Sequence, residues 1–301
     1  MAETVASYTV PEHHVIQFTD NVRAALNRQG GDMRMHVTQA SYVGEKSQVV
    51  NFLGPISFTK RDTPYSDTVV TEVQHKQRWV TADEYDCAVF VDRLDTLKMI
   101  YDPTSPYVER MREAAARKED DIIMSNFYSA AKTGKQGTET ITFPNADIIV
   151  HGTTGMSVAK LRSARKLLKK RHVNLRSEMP LIATTAQQID DLLGEVAVGS
   201  NDYNAVKPLV DGEVSRFMGF MFIPHEDFDE FGIPTHDDTG TVRECPVWVP
   251  SGMHYGNWQE LVITINNRAD KNNIKQAHAT FTAGGTRLEE GRVLKLECKE
   301  P

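Results

Sequence analysis

A helical pattern over Ser105–Ala131 constrains this chain more than any other stretch. Ser105 can cap the first turn with its hydroxyl, and Pro106 suits the first helical position, where no N–H is needed. Tyr107, Met111, Ala114, Ala115, Ile122, Ile123, Phe127 and Ala130 then recur at three- and four-residue steps, so they share one side of a helix. Glu109, Arg110, Arg112, Glu113, Arg117, Lys118, Glu119 and Asp120 write the solvent side. At 1.5 Å per residue the span is roughly 40 Å, long enough to act as a strut. Gly134 lies just past its end.

Ahead of this helix the sequence offers little core. Pro11–Gln29 reads as an amphipathic helix with Val15, Phe18, Val22, Ala25 and Leu26 on one face, ended by Gly30-Gly31. That stripe has no partner nearby in sequence, so it either folds back on its own core or docks on a neighbouring molecule. Val49–Phe58 and Val69–Val80 read as extended segments around a polar, turn-rich stretch. Neither face of 69–80 is cleanly apolar, and a long two-stranded ribbon of this kind is marginal on its own in water. It either projects onto another subunit or forms the edge hairpin of a larger sheet. Cys87–Val91 adds a short strand.

With 301 residues there is room for two domains, and composition shifts at Gly152–Gly155. Ser157 caps a helix running to about His172, with Val158, Leu161, Ala164 and Leu168 inward. Pro180–Thr184 is a short buried strand, and Thr185 caps a compact helix ending at Leu193-Gly194. Strands at Met218–Ile223 and Cys245–Pro250 flank an acidic loop. Residues 152–250 therefore read as a mixed α/β unit inserted into the chain. Alternating strands follow around Leu261–Ile265, Ala277–Phe281 and Leu294–Cys298, with Gly284-Gly285 as a turn and the long helix as their expected cover.

The net charge of −7 argues against a general nucleic-acid binder. Cys87, Cys245 and Cys298 have no C-x-x-C spacing and read as reduced thiols of a cytoplasmic protein; Cys87 and Cys245, on expected strands, act as small hydrophobes. No apolar run approaches the ~20 residues of a membrane span. His225, Glu226, Asp227, Asp229 and Glu230, with His236, Asp237 and Asp238 nearby, match neither a zinc-helix motif nor a calcium loop. No catalytic motif is present, and no cofactor or metal is expected. The strongest charge feature is Lys160, Arg162, Arg165, Lys166, Lys169, Lys170 and Arg171, expected on the exposed side of a helix over 158–172. Such a face can neutralise phosphates, meet the acidic loop of an adjacent subunit, or simply be solvated. No aromatic residue interleaves the cations, which argues against base stacking.

Several passages together carry a resemblance. They are the ribbon over 55–80 with Trp79-Val80, the run Val91-Asp92-Arg93-Leu94-Asp95 with Asp102, and a long helix bearing Arg117–Ile123. Pro180–Thr184 leading into Gln187–Leu193, then Leu209–Gly212, Gly219-Phe220 and the closing Glu290-Gly291-Arg292-Val293 complete the set. In this order they resemble the major capsid proteins of tailed bacteriophages (Caudoviricetes), the Hong Kong 97-type capsid fold, over nearly the whole chain. The resemblance implies an α+β fold with an N-terminal arm (1–50), an extended β-ribbon loop (51–84), a peripheral domain (85–150 and 251–301) holding the spine helix (105–131), and an axial domain (151–250). It also implies a structural subunit, not an enzyme. Such subunits self-assemble into hexamers and pentamers of an icosahedral virion shell, in the host cytoplasm, enclosing double-stranded DNA. Separate scaffolding and portal proteins are implied as partners.

Subunit contacts are then expected from Phe58, Lys60, Arg61, Val69, Val73 and Trp79 on the ribbon and from Val15, Phe18 and Val22 on the arm. Lys160, Arg162, Arg165, Lys166, Lys169 and Lys170 would face DNA or a subunit. Some family members crosslink a ribbon lysine to a neighbour's asparagine; Lys60 lies in that region, with no local motif around it. Two alternatives stand beside this reading: an encapsulin-like compartment shell, and a DNA-binding protein using the basic helix.

Overall fold

The computed structural model describes residues 31–54, 56–60, 63, 67, 70, 72–73, 75–91, 104–195, 216–225, 232–235, 241–271 and 273–300. The expected helix with Val15, Phe18 and Val22 lies outside them, as do Arg61, Val69, Leu209–Gly212 and most of the acidic loop.

The elements in chain order begin with β1 (Thr38–Ser41), β2 (Lys46–Leu53), β3 (His75–Thr81) and β4 (Asp83–Val91), followed by the long helix α1 (Thr104–Asn126). Three short strands come next, β5 (Ala131–Thr133), β6 (Glu139–Ile141) and β7 (Ile148–Ile149). The α/β portion holds α2 (Val158–Lys170), β8 (Leu181–Thr184), α3 (Ala186–Gly194), β9 (Arg216–Phe217), β10 (Phe220–Pro224) and β11 (Val242–Trp248). Two long strands, β12 (Met253–Arg268) and β13 (Ile274–Arg287), precede β14 (Val293–Lys299).

These strands form three sheets, ordered β1-β12-β13-β4, β2-β3-β5-β6 and β7-β14-β11-β8-β10-β9. Helix α1 lies on the first, where Met111 packs against Ala277 and Ala279. Its C-terminal part and the turn after it send Ile122, Ile123, Met124 and Phe127 into the main core with Trp248, Tyr255 and Phe281. That core continues into Leu161, Ala164 and Leu168 of α2 and into Leu294, Leu296 and Cys298 of β14.

Several expectations are corrected. Helix α1 has 23 residues and begins at Thr104, so Ser105 is inside it. It stops at Asn126 although the apolar spacing continues: the Phe127 N–H turns to the Met124 carbonyl (3.2 Å), three residues back instead of four, while Ser125 Oγ and Asn126 Nδ2 both bond the Ile122 carbonyl (3.1 and 2.7 Å). Ala131 opens β5 instead, Ala130 is exposed, and Tyr107 is 37% exposed. Asp120, expected in solvent, is 1% exposed and accepts the N–H groups of Gly31 (2.8 Å) and Met33 (3.1 Å). The strand expected from Val69 begins at His75. Met218 sits in a tight turn with Gly219 (φ 51° and 78°), so that strand begins at Phe220.

The first of the closing strands starts eight residues before Leu261, at Met253. Register shifts between Asn257 and Gln259 and between Gln259 and Val262 break the alternation that would have revealed it. Gly284-Gly285 is no turn but the interior of β13. A Cβ on Gly284 would stand 2.0 Å from the Thr81 carbonyl oxygen, so glycine there permits two backbones to touch. Strand β14 does not lie under the long helix. It pairs antiparallel with β11 and parallel with β7.

Candidate subunit-contact surfaces

The ribbon is a paired β2–β3 hairpin stem, running from Lys46↔Thr81 to Leu53↔His75 with one register shift between Gln48 and Val50. Its root is fixed to its own subunit. Arg78, 4% exposed, donates from Nε to the Leu288 carbonyl (2.9 Å) and pairs with Glu290. Trp79 Nε1 donates to the Gly134 carbonyl (2.7 Å), and Thr133 Oγ1 to the Gln77 carbonyl (2.8 Å). Trp79, read as a contact to a neighbour, is thus half-buried within its own chain, and β5 and β6 extend the hairpin into a four-stranded sheet. The outer part is different. Leu53, Ile56, Phe58 and Val70 are 65%, 66%, 103% and 84% exposed, Lys60 is exposed and Val73 half-buried. Exposed apolar groups thus gather on the outer part of the ribbon, while Arg78 and Val80 at its root are buried.

The segment leaving the arm is clamped at the middle of the body. Besides the bonds to Asp120, Arg34 pairs with Glu119 (3.2 Å) and Glu260 (2.8 Å) and lies 5.3 Å over the Tyr255 ring. Strand β1 then pairs parallel with β12, and His254 rivets it. Thr38 Oγ1 donates to the Met253 carbonyl (2.7 Å), so it accepts from His254 Nδ1–H (3.0 Å), and Nε2 accepts from the Tyr42 hydroxyl (2.8 Å).

Burial lowers the His254 pKa to about 4 from its ordinary 6.5. The unfolded chain therefore binds the proton first, and stability falls as pH drops from about 6.5 to about 4, then levels off. The full loss is about 3 kcal/mol. A urea-denaturation series on the purified subunit across this window should give His254→Gln a pH dependence shallower by that amount. Parallel wild-type and variant curves would exclude His254 as the source.

The basic helix divides in two. Ser157 caps it by accepting the Lys160 N–H, at 3.4 Å. Lys160, assigned to the exposed face, is only 7% exposed. Its ammonium donates to the carbonyls of Thr154 (2.7 Å), Gly155 (2.7 Å) and Glu297 (3.0 Å), and burial lowers its pKa. Arg165 is half-buried and bonds the Met218 carbonyl, and Arg171 pairs with the buried Asp147 at 2.6 Å. Arg162, Lys166, Lys169 and Lys170 remain exposed. A helical projection separates the sets: at 100° per residue Lys160 lies about 160° from Arg162, on the side of Leu161 and Ala164.

Elsewhere the expected chemistry thins out. His225 is buried, 226–231 and 236–240 lie outside the described residues, and among the described residues no three His, Cys, Asp or Glu could share a metal. Cys245 and Cys298 are buried, but Cys87 is exposed, against the expectation of a packed thiol. Among the described residues no helix is long and apolar enough to cross a membrane. Sequence reasoning missed Asp120 and Arg78 as anchors for arm and ribbon; the one signal for Asp120 was an acid adjoining Ile122-Ile123 on the buried face.

The chain is similar to the head structure of Helicobacter pylori bacteriophage KHP40 (TM-score 0.74, 9% identity, covering 94% of this chain and 95% of that one). It is also similar to the capsid of Cyanophage P-SCSP1u (0.70, 14%, 95% and 94%) and to that of Ralstonia phage GP4 (0.69, 12%, 100% and 99%). At these identities the likeness is one of fold, the α+β fold of phage capsid subunits. No curated protein sequence matches the chain. A sequence model described as phage capsid protein, however, matches residues 10–300. A strut helix on a long-stranded sheet, a ribbon reaching out with a bare apolar end and a family match over nearly all the residues converge: the chain belongs to the phage capsid protein family, as a major capsid subunit whose role in the virion is structural, not enzymatic.

Proposed function

We propose that this subunit assembles into hexamers and pentamers of an icosahedral shell enclosing double-stranded DNA, built in the host cytoplasm with separate scaffolding and portal proteins. The observation that carries the reading is the ribbon. Its root is bonded into its own subunit through Arg78 and Trp79, while Leu53, Ile56 and Phe58 stand bare at the outer part. On this reading that end, with Lys60, Arg61, Val69 and Val73, lies across an adjacent subunit. The arm residues Val15, Phe18 and Val22 dock on a second neighbour, and residues 151–250 gather around the symmetry axes.

Negative-stain microscopy with size-exclusion chromatography tests it. Wild-type protein should form closed shells or rings of hexamer and pentamer size. The double variant Ile56→Asp, Phe58→Asp should stay monomeric with an unchanged far-UV spectrum, because those side chains touch little within their own chain and exposed substitutions alter stability by about 0.5 kcal/mol or less each. Shells from the variant at wild-type yield would remove the ribbon from the interface. A wild-type protein that stays monomeric even with its scaffolding partner would overturn the assembly reading itself.

A further inference from the structure

We propose that Arg162, Lys166, Lys169 and Lys170 on α2 form the surface that contacts the phosphate backbone of the packaged DNA, without reading its sequence. The proposal rests on the shell reading above and adds which face of the subunit turns inward.

The four cations form one stripe about 100° wide, with Arg162 and Lys166 about 6 Å apart along the helix axis. Among the described residues none of them has an ion-pair partner. No residue from 148 to 177 is acidic, although the chain as a whole carries a net charge of −7. Solvated helix faces mix signs, as α1 does with its Arg110–Glu113 pair. A stripe of one sign this clean creates a local positive field on an otherwise negative molecule. Beside it lies an open groove of about 660 Å³ lined by Arg162, Ser163, Arg165, Lys166, Lys169 and Met218. Arg165 is tied back to the Met218 carbonyl, so the groove wall is held in place while the cations around it stay free.

A protein partner fits this face less well. Interface cores are apolar and depleted in lysine, whereas three of the four free cations are lysines and the stripe exposes no large apolar side chain. Flexible lysines without interleaved aromatics suit a polyanion held by charge alone.

The test compares wild type with the quadruple variant Arg162→Gln, Lys166→Gln, Lys169→Gln, Lys170→Gln, glutamine being a good helix former. Binding of purified subunits to a 30-base-pair duplex is followed by fluorescence anisotropy between about 20 and 150 mM salt. The slope of log affinity against log salt should fall in magnitude by about 3 to 4, since each phosphate contact contributes about 0.9. A control removing Lys135 and Lys271 should leave the slope unchanged. Shell formation by the quadruple variant is scored in parallel and should match wild type. An unchanged slope overturns the proposal. So does a variant that binds DNA normally but no longer forms shells, which would make the stripe a contact between subunits. If wild type forms no shells, the assembly reading fails on its own evidence, and the slope is still read independently.

Discussion

Trp248→Ala is expected to lower unfolding free energy by about 4 kcal/mol, one of the two largest losses any single substitution here should cause. The indole is 0% exposed, and its ring centroid lies 4.8 Å from that of Phe127. On either side of it in the sheet stand Leu181 of β8 and Val293 of β14. Its Nε1–H donates to the His36 carbonyl at 3.0 Å, so the same side chain also holds the segment leading into β1. Truncation opens a cavity where helix end, sheet and arm base converge, and it leaves a carbonyl without its donor. Trp248→Phe keeps most of the volume and loses the hydrogen bond, so about 1–2 kcal/mol should go. Chemical denaturation of the purified subunit measures both. A loss under 2 kcal/mol for alanine would mean that the core is not organised around this ring.

The second large effect runs against intrinsic propensity. Valine ordinarily favours a strand interior over glycine, so β13 should be strengthened by Gly284→Val if local preference decided. The 2.0 Å approach to the Thr81 oxygen reverses the sign, because the obstacle is backbone and cannot rotate away. Separating the ends of β3 and β13 should cost about 3 kcal/mol or more. Gly194→Ala, with nothing within 4 Å of the added carbon, serves as the control and should be neutral or slightly stabilising. Thermal midpoints of the two variants should move in opposite directions or differ by several degrees; a stable Gly284→Val protein would show that the two strands are not in contact.

These sites show what the sequence made legible. Periodicity found α1, α2 and α3, together with their caps at Ser157 and Thr185, because capping is local chemistry within a few residues. It also found the buried alternation of Ala277, Ala279 and Phe281 in β13. It failed where a distant partner decides the outcome. Asp120 and Lys160 look like surface charges until their backbone partners, Gly31 and Glu297, arrive from 89 and 137 positions away. Gly284-Gly285 resembles a turn because close backbone contact and chain reversal both demand glycine. The exposure of Phe58 was legible for the opposite reason: the ribbon offers no clean apolar face for it to share within the chain.

Strand β14 is the seam of the six-stranded sheet. It occupies the place between β7 and β11 in the six-stranded sheet, and its Glu297 carbonyl completes the cage around the Lys160 ammonium. Beyond it, Glu300 ties together Gln188 (2.7 Å) and Arg243 (3.0 Å). Take β14 away and the sheet splits: β7 loses its only neighbour, and β11 is left with an open edge on the side away from β8. An unpaired edge is a template for wrong partners. Residues 293–300 therefore close the α/β portion, joining chain from both sides of α2 in a single strand.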